Sequence, residues 1–344
     1  MNAPVRLARP IVRIADLADP AVEAFVRACP GATPFHLPQW SRAIARGTGQ
    51  RAYMLVAERG GRIEGVLPLT HVRSPLFGAA LVSAGFAVEG GILTRDEAAA
   101  AALAEEAVGL AGRLGCPSIE LRGGSVPAGW RYEGDVYAGF ARALPSEDEA
   151  ILAAIPRKQR AEVRRALGYG LDVAVGRDRA AHFRTYAESV RNLGTPAFPP
   201  ALFAAVLAEF GEDADILTVA GNGQPLAAVL SLYMGGIVYP YWGGGTRAAR
   251  AARANELMYY ELMRHAAARG CTRFDFGRSK LGTGAYAFKK NWGFEPRPLV
   301  YAGWGKARET NPLSPRYRLQ IAAWRRLPLW LANRLGPPIA RGLG

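Results

Sequence analysis

The chain has 344 residues, long enough for two domains of ordinary size, and with half of them hydrophobic and 21% charged its balance is that of a globular protein and not of a disordered chain. Its 43 lysines and arginines against 29 acids give a net charge of +14, which favours phosphates, nucleic acid or an anionic membrane as partners, although a solvated basic surface gives the same sum. Cys29, Cys116 and Cys271 are isolated, which excludes a disulfide framework and fits a reducing cytoplasm; His36, His71, His182 and His265 lack metal-ligand spacing, so no metal is expected.

The opening MNAPVRLARPIVRIADLADP has no unbroken apolar run and does not read as a signal peptide. No segment reaches the roughly 20 apolar residues of a membrane-spanning helix. The expected location is the cytoplasm, free or peripheral at the inner face of the membrane. RAYMLVAERGGRIEGVLPLTHV reads as two strands joined by a Gly60-Gly61 hairpin. RDEAAAAALAEEAVGLAGRLGC is a helix with acids in its first turn and Gly115 at its end, and PSIELRG is the strand that follows. Between Pro145 and Pro156 the pattern changes to a short acidic helix, then to the basic PRKQRAEVRRALGYGL.

The second half repeats the plan. ADILTVAGNGQPLAAVLSLYMGGIVYPYWGG reads as three antiparallel strands with Asn-Gly and Gly-Gly turns. ANELMYYELMRHAAARG is a helix with Asn255 as the expected N-cap and Gly270 at its end. TRFDFG is a strand, and GAYAFKKNWG a short helix behind it. This order predicts two mixed α/β domains, 1–155 and 156–310, and a basic tail, 311–344. From Tyr301 to Gly344 eight basic residues face one acid, among Trp324, Trp330, Leu327, Leu329 and Leu331. Such a segment suits an anionic membrane surface, or it packs its tryptophan face on the protein.

The run YYELMRHAAARGCTRFDFGRSKLGTGAYAFKKNWGFEP, together with PRKQRAEVRRALGYGL, resembles the FemAB-related family within the GNAT-like acyltransferases, and most closely its branch associated with exosortase and PEP-CTERM exopolysaccharide loci. The resemblance is dense in the C-terminal half and covers the N-terminal half in overall plan. It implies tandem GNAT-like domains and acyl or aminoacyl transfer to an amine, with no bound cofactor. In peptidoglycan-bridge members the donor is an aminoacyl-tRNA, and a Phe-Lys pair lies at the active site. The matching residues are Phe288 and Lys289.

The residues themselves fit that chemistry. Acyl transfer passes through a tetrahedral oxyanion, which a fixed cation in a dry cleft stabilises. Lys289 between Phe288 and Trp292 is such a cation, or else a stem packed on aromatic faces with its amine in water. Lys290 points elsewhere on a helix. Asp275 is either a base for the attacking amine or an ion-pair partner of Arg278, which is itself placed to clamp a phosphate. Gly282, Thr283 and Gly284 form a turn able to offer N–H donors to an anion. Arg157, Arg160 and Arg164 share one helix face that either holds a diphosphate or a tRNA end or is simply solvated; the expected acceptor is a phosphorylated or lipid-linked saccharide or peptide. Tyr241 and Trp242 are either walls for a sugar or peptide, or buried strand aromatics.

A GNAT loop for acetyl-CoA has the pattern [QR]-x-x-G-x-[GA]; here Arg250 to Asn255 reads R-A-A-R-A-N, and Arg253 stands where glycine lets phosphate approach. That argues against free CoA and leaves an acyl-CoA or acyl thioester as the second choice of donor. The alternatives are an acetyl-CoA-dependent N-acetyltransferase of an amino sugar or small amine and, from another class, a non-catalytic nucleic-acid-binding protein supported by the charge alone.

Overall fold

Residues 9–306 and 317–344 are described by the computed structural model, and they fall into two compact units. The first takes the described residues up to Glu133, the stretch beginning at Val300, and Gly344; the second takes Gly134–Leu299 and the described residues from 317 to Leu343. The residue-155 boundary expected from the sequence falls inside the second unit, between its first two helices.

The first unit begins with β1 (Ile11–Ala15), α1 (Pro20–Ala28) and α2 (Pro38–Thr48). The hairpin strands β2 (Arg51–Arg59) and β3 (Arg62–Ser74) follow, with Arg59 opposite Arg62 across the Gly60-Gly61 turn, as the sequence predicts. Next come β4 (Gly78–Ser83), the two-residue β5 (Leu93–Thr94), α3 (Glu97–Leu114) and β6 (Ser118–Arg122). The side chain of Asp96 caps α3 by accepting the Ala99 N–H at 2.7 Å, and Gly115 ends it at φ +63°. The helix buries Ala99, Leu103, Ala107, Leu110 and Ala111 on Leu55, Leu67, Leu81 and Ile119 of the sheet. β4 is antiparallel to β3 and parallel to β6, with α3 as the crossover between them.

The second unit repeats that arrangement. It starts with β7 (Arg131–Ala143, of which Gly134 onward lies in this unit), α4 (Asp148–Ala154), α5 (Arg157–Leu167), β8 (Asp172–Gly176), α6 (Arg179–Leu193) and α7 (Pro200–Phe210). β9 (Ala214–Gly221), β10 (Gln224–Met234) and β11 (Ile237–Gly245) form an antiparallel meander, α8 (Ala254–Ala268) crosses over, and β12 (Arg273–Lys280) returns parallel to β11. α9 (Gly284–Asn291) and β13 (Pro296–Gly305) follow. The core joins Phe140, Leu217, Val229, Met258, Leu262, Phe274, Phe276, Trp292 and Phe294. The strand after β6 in the chain, β7, pairs with β12 in the second unit, while the strand after β12, β13, pairs with β6 in the first.

The tail forms α10 (Arg318–Arg326) and α11 (Leu329–Ala340). Both pack on α6: the Arg325 side chain donates to the Leu193 carbonyl at 3.2 Å, and Arg191 donates to the Arg325 carbonyl at 3.3 Å. On α11 the inward face is made of Ala332, Gly336 and Ala340, with Trp330 exposed, while Trp324 of α10 is half-buried with its indole nitrogen out of solvent. Arg308, Glu309 and Arg316 of the expected tail lie outside the described residues, as does the start of the N-terminal stretch.

Candidate active site

β11 and β12 pair over only two positions, Ile237 with Arg273 and Val238 with Phe274. Beyond these, β11 stays hydrogen-bonded to β10 out to Gly245, and β12 to β7 out to Lys280. Two parallel strands that hold different neighbours in this way part into a wedge, with the Asp275–Lys289 cluster along its β12 side and Tyr241, Trp242 and the Arg253 loop along its β11 side.

β12 carries a bulge against β7. Asp275 faces Ala141 but Arg278 faces Gly139, so one extra residue is accommodated between them. Gly277 sits in it at φ +65°, a backbone conformation that L side chains resist. Asp275 fixes the bulge by accepting the Gly277 N–H on Oδ1 at 2.8 Å. The sequence does carry a signal for this bulge, a lone glycine directly after the alternating FDF.

α9 brings Lys289 onto this bulge. Thr283 caps the helix, its hydroxyl accepting the Tyr286 N–H at 3.3 Å and donating to the Lys280 carbonyl at 2.7 Å. The expected Gly282–Gly284 turn therefore serves first to start α9. Less than two turns later, Lys289 Nζ donates to the Arg278 carbonyl at 2.8 Å and the Gly277 carbonyl at 3.2 Å. It lies 5.4 Å and 5.5 Å from the ring centroids of Phe140 and Phe276. Lys289 is only 9% exposed, whereas Lys290 is on the solvent side. Burial lowers the Lys289 pKa to about 7; Asp275 opposes that shift and Arg278 adds to it. Burial likewise raises the Asp275 pKa, against the Gly277 N–H and the charges of Arg273 and Lys289. Asp275 is thus coupled electrostatically to the lysine, and the Arg278 guanidinium stacks over Tyr137 at 4.5 Å. Tyr137 and Phe140, supplied by β7, lie about 150 residues upstream of α9, and no local pattern links them to it.

Phe288 is half-buried in a ring cluster with Tyr259, Phe276 and Trp292. Trp242 is not a ligand wall: it is buried against Phe198 and Phe203, and its carbonyl meets the His182 ring at 2.8 Å. Tyr241 is half-buried beside it. The glycines that follow are needed for close packing. A Cβ on Gly244 would fall 2.5 Å from the Ser189 Cβ on α6, and one on Gly245 would fall 2.5 Å from the Asn255 side chain. Asn255 is accordingly not the N-cap of α8; that position belongs to Arg253, and Asn255 lies in the first turn against β11.

α5 runs between two ends of the site. Its first neighbour, Pro156, lies 3.0 Å from where a Cβ of Gly293, just past α9, would stand, and its Glu162 pairs with Arg253 at the start of α8 at 2.6 Å. Arg157 and Arg164 are exposed, while Arg160 donates to the Ala153 carbonyl at 3.2 Å. Arg253 takes φ +53°, the left-handed conformation a glycine would adopt, and its side chain is held by Glu162 and by the Arg250 carbonyl at 2.9 Å. The backbone at Arg253 is thus left-handed although no glycine stands there, with the side chain drawn toward Glu162 and the Arg250 carbonyl. Next to it Arg247, Arg250, Thr246, Ser189 and Asn192 line a cleft of about 350 Å³.

Residues 155–290 match the family model of the GNAT acetyltransferase domain. By sequence, no curated protein matches significantly. Among solved structures, the chain is similar to FemX at 17% identity and a TM-score of 0.67, covering 90% of this chain and 99% of that one. It is also similar to a tandem GNAT protein from the clavulanic acid biosynthesis pathway, at 14% identity, TM-score 0.53, and 86% and 98% coverage. A third is the C-terminal domain of a lysylphosphatidylglycerol synthetase from Agrobacterium fabrum, at 14% identity, TM-score 0.52, and 77% and 87% coverage. The wedge, the crossover helix, the bulge of β12 and Lys289 all lie within the stretch that matches the GNAT acetyltransferase domain model, in a chain whose fold is similar to those of FemX and a tandem GNAT protein.

Proposed function

We propose that the protein is an N-acyltransferase that forms an amide on an amino group of a cell-envelope or exopolysaccharide precursor. The observation that carries this reading is Lys289, a buried amine held on the bulge of β12 beside the open wedge. In this reaction the acceptor amine attacks the acyl carbonyl, the carbonyl π electrons move onto oxygen, and the protonated lysine stabilises that oxyanion. Collapse of the intermediate re-forms the carbonyl and expels the donor's oxygen or sulfur, while the amine gives its proton to a base. Asp275, with its raised pKa, is the nearest candidate for that base. Arg157, Arg160 and Arg164 serve the phosphate of the acceptor or its lipid carrier, with Arg278 nearer the lysine. The exopolysaccharide target and the exosortase-associated branch rest on the sequence resemblance alone.

Two donors fit. An aminoacyl-tRNA follows from the FemAB-like motif and the basic charge. An acyl-CoA is supported by the left-handed backbone at Arg253, the conformation a glycine would adopt, and by the arginine-lined cleft beside it. Both can be offered to the purified protein with an amino-sugar acceptor, and amide formation followed by mass spectrometry. Turnover with either donor that is lost in Lys289→Ala supports the proposal. Steeply salt-dependent RNA binding without turnover would instead support a nucleic-acid-binding protein.

A further inference from the structure

We infer that the outward face of α10 and α11 is a docking surface for an anionic lipid bilayer. The observation is an inversion of ordinary packing. α11 seats its small residues inward: Ala332, Gly336 and Ala340 recur at four-residue spacing and are buried, and a Cβ on Gly336 would lie 3.0 Å from the Ala197 backbone. Two of its bulky apolar residues are left outside, Trp330 69% and Leu335 44% exposed, with Leu329, Leu331 and Ile339 half-buried; on α10, Leu319 is 84% exposed. On a helix, Trp330 and Arg334 lie opposite the Ala332–Gly336–Ala340 stripe, so an apolar and a basic side chain share the outer face.

Charge complementarity names the occupant. Residues 317–344 contain five arginines and no acid, and Arg318, Arg326 and Arg334 are exposed. Arginines beside an exposed tryptophan and leucines match the headgroup boundary of an anionic bilayer, where guanidinium meets phosphate and the apolar side chains enter the acyl edge. A nucleic acid would use the arginines but has no use for Leu319 and Leu335. Among the described residues no helix is long and apolar enough to cross a membrane, so the contact is peripheral. It would bring a lipid-linked acceptor and the enzyme to one surface, yet it stands without that assignment because it is read from the tail alone.

The test is flotation of the full-length protein with phosphatidylcholine vesicles, with and without phosphatidylglycerol, at low and high salt. The protein should float with the anionic vesicles, less so at high salt, and not with the neutral ones. Arg326→Glu combined with Arg334→Glu should weaken binding at least about tenfold, given the contribution of each basic residue near such a surface. Trp330→Ala with Leu319→Ala should weaken it several-fold, and circular dichroism should show all variants folded. Absence of binding at low salt, or binding unaffected by either pair, would overturn the inference. Binding lost with the arginines but untouched by loss of Trp330 and Leu319 would also overturn it, because the patch would then bind any polyanion.

Discussion

Lys289 and Lys290 are adjacent and carry the same charge, yet burial gives them different chemistry. Losing one group that stabilises an oxyanion costs about 10² to 10³ in turnover. Lys289→Ala should lower kcat by about that factor with little change in KM, while Lys290→Ala stays near wild type, as steady-state kinetics would check. With a Lys289 pKa of about 7, the cation is lost as pH rises, so kcat should fall above about pH 7; a rise would mean that the neutral amine acts as base. Stability should carry the same signature. The folded pKa of about 7 lies below the ordinary 10.5, so between these values the unfolded chain binds more protons and wild-type stability rises with pH. Lys289→Met lacks that dependence, so its Tm relative to wild type should decline across the same window, measured by calorimetry at several pH values.

At the scale of elements, the bulge and the α8 loop both hold left-handed residues, one a glycine and one an arginine. Gly277→Ala meets no atom within 4 Å but must keep φ +65°, which costs about 1 kcal/mol and misplaces both carbonyls that orient Lys289. It should therefore lower activity well beyond its modest effect on Tm. Arg253→Gly relieves the same strain while removing a partly exposed ion pair worth about 0–1 kcal/mol, so its Tm should be unchanged or slightly raised. Acyl-CoA affinity, read by calorimetry, should then be no weaker than wild type if CoA is the donor.

For the whole molecule, a charge of +14 acts on charged substrates through a screened field. Rising salt should raise KM for a phosphorylated acceptor and leave kcat nearly constant, and Arg157→Ala with Arg164→Ala should flatten that dependence. Such a charge, like the hairpin at Gly60-Gly61, the capped helix ending at Gly115 and the strand–helix pattern around FDFG and FKK, was legible in the sequence because each depends on local composition or short periodicity. The repeated mixed α/β plan followed from their order, and its GNAT-like character from the resemblance carried by the FDFG and FKK stretch. The partition of the chain was not legible, because β7, which follows β6 of the first unit, pairs with β12 of the second, and β13, which follows α9 of the second, pairs with β6 of the first. Nor was the core role of Trp242, which is decided by Phe203 of α7 and Phe198 just ahead of that helix packing on its ring, and by His182 of α6 meeting its carbonyl. The sequence by itself named Lys289; only the tertiary structure, by bringing β7 aromatics from about 150 residues away and two bulge carbonyls against its amine, decided that this lysine is dry and its pKa lowered, because desolvation is a property of surroundings that no short stretch of chain contains.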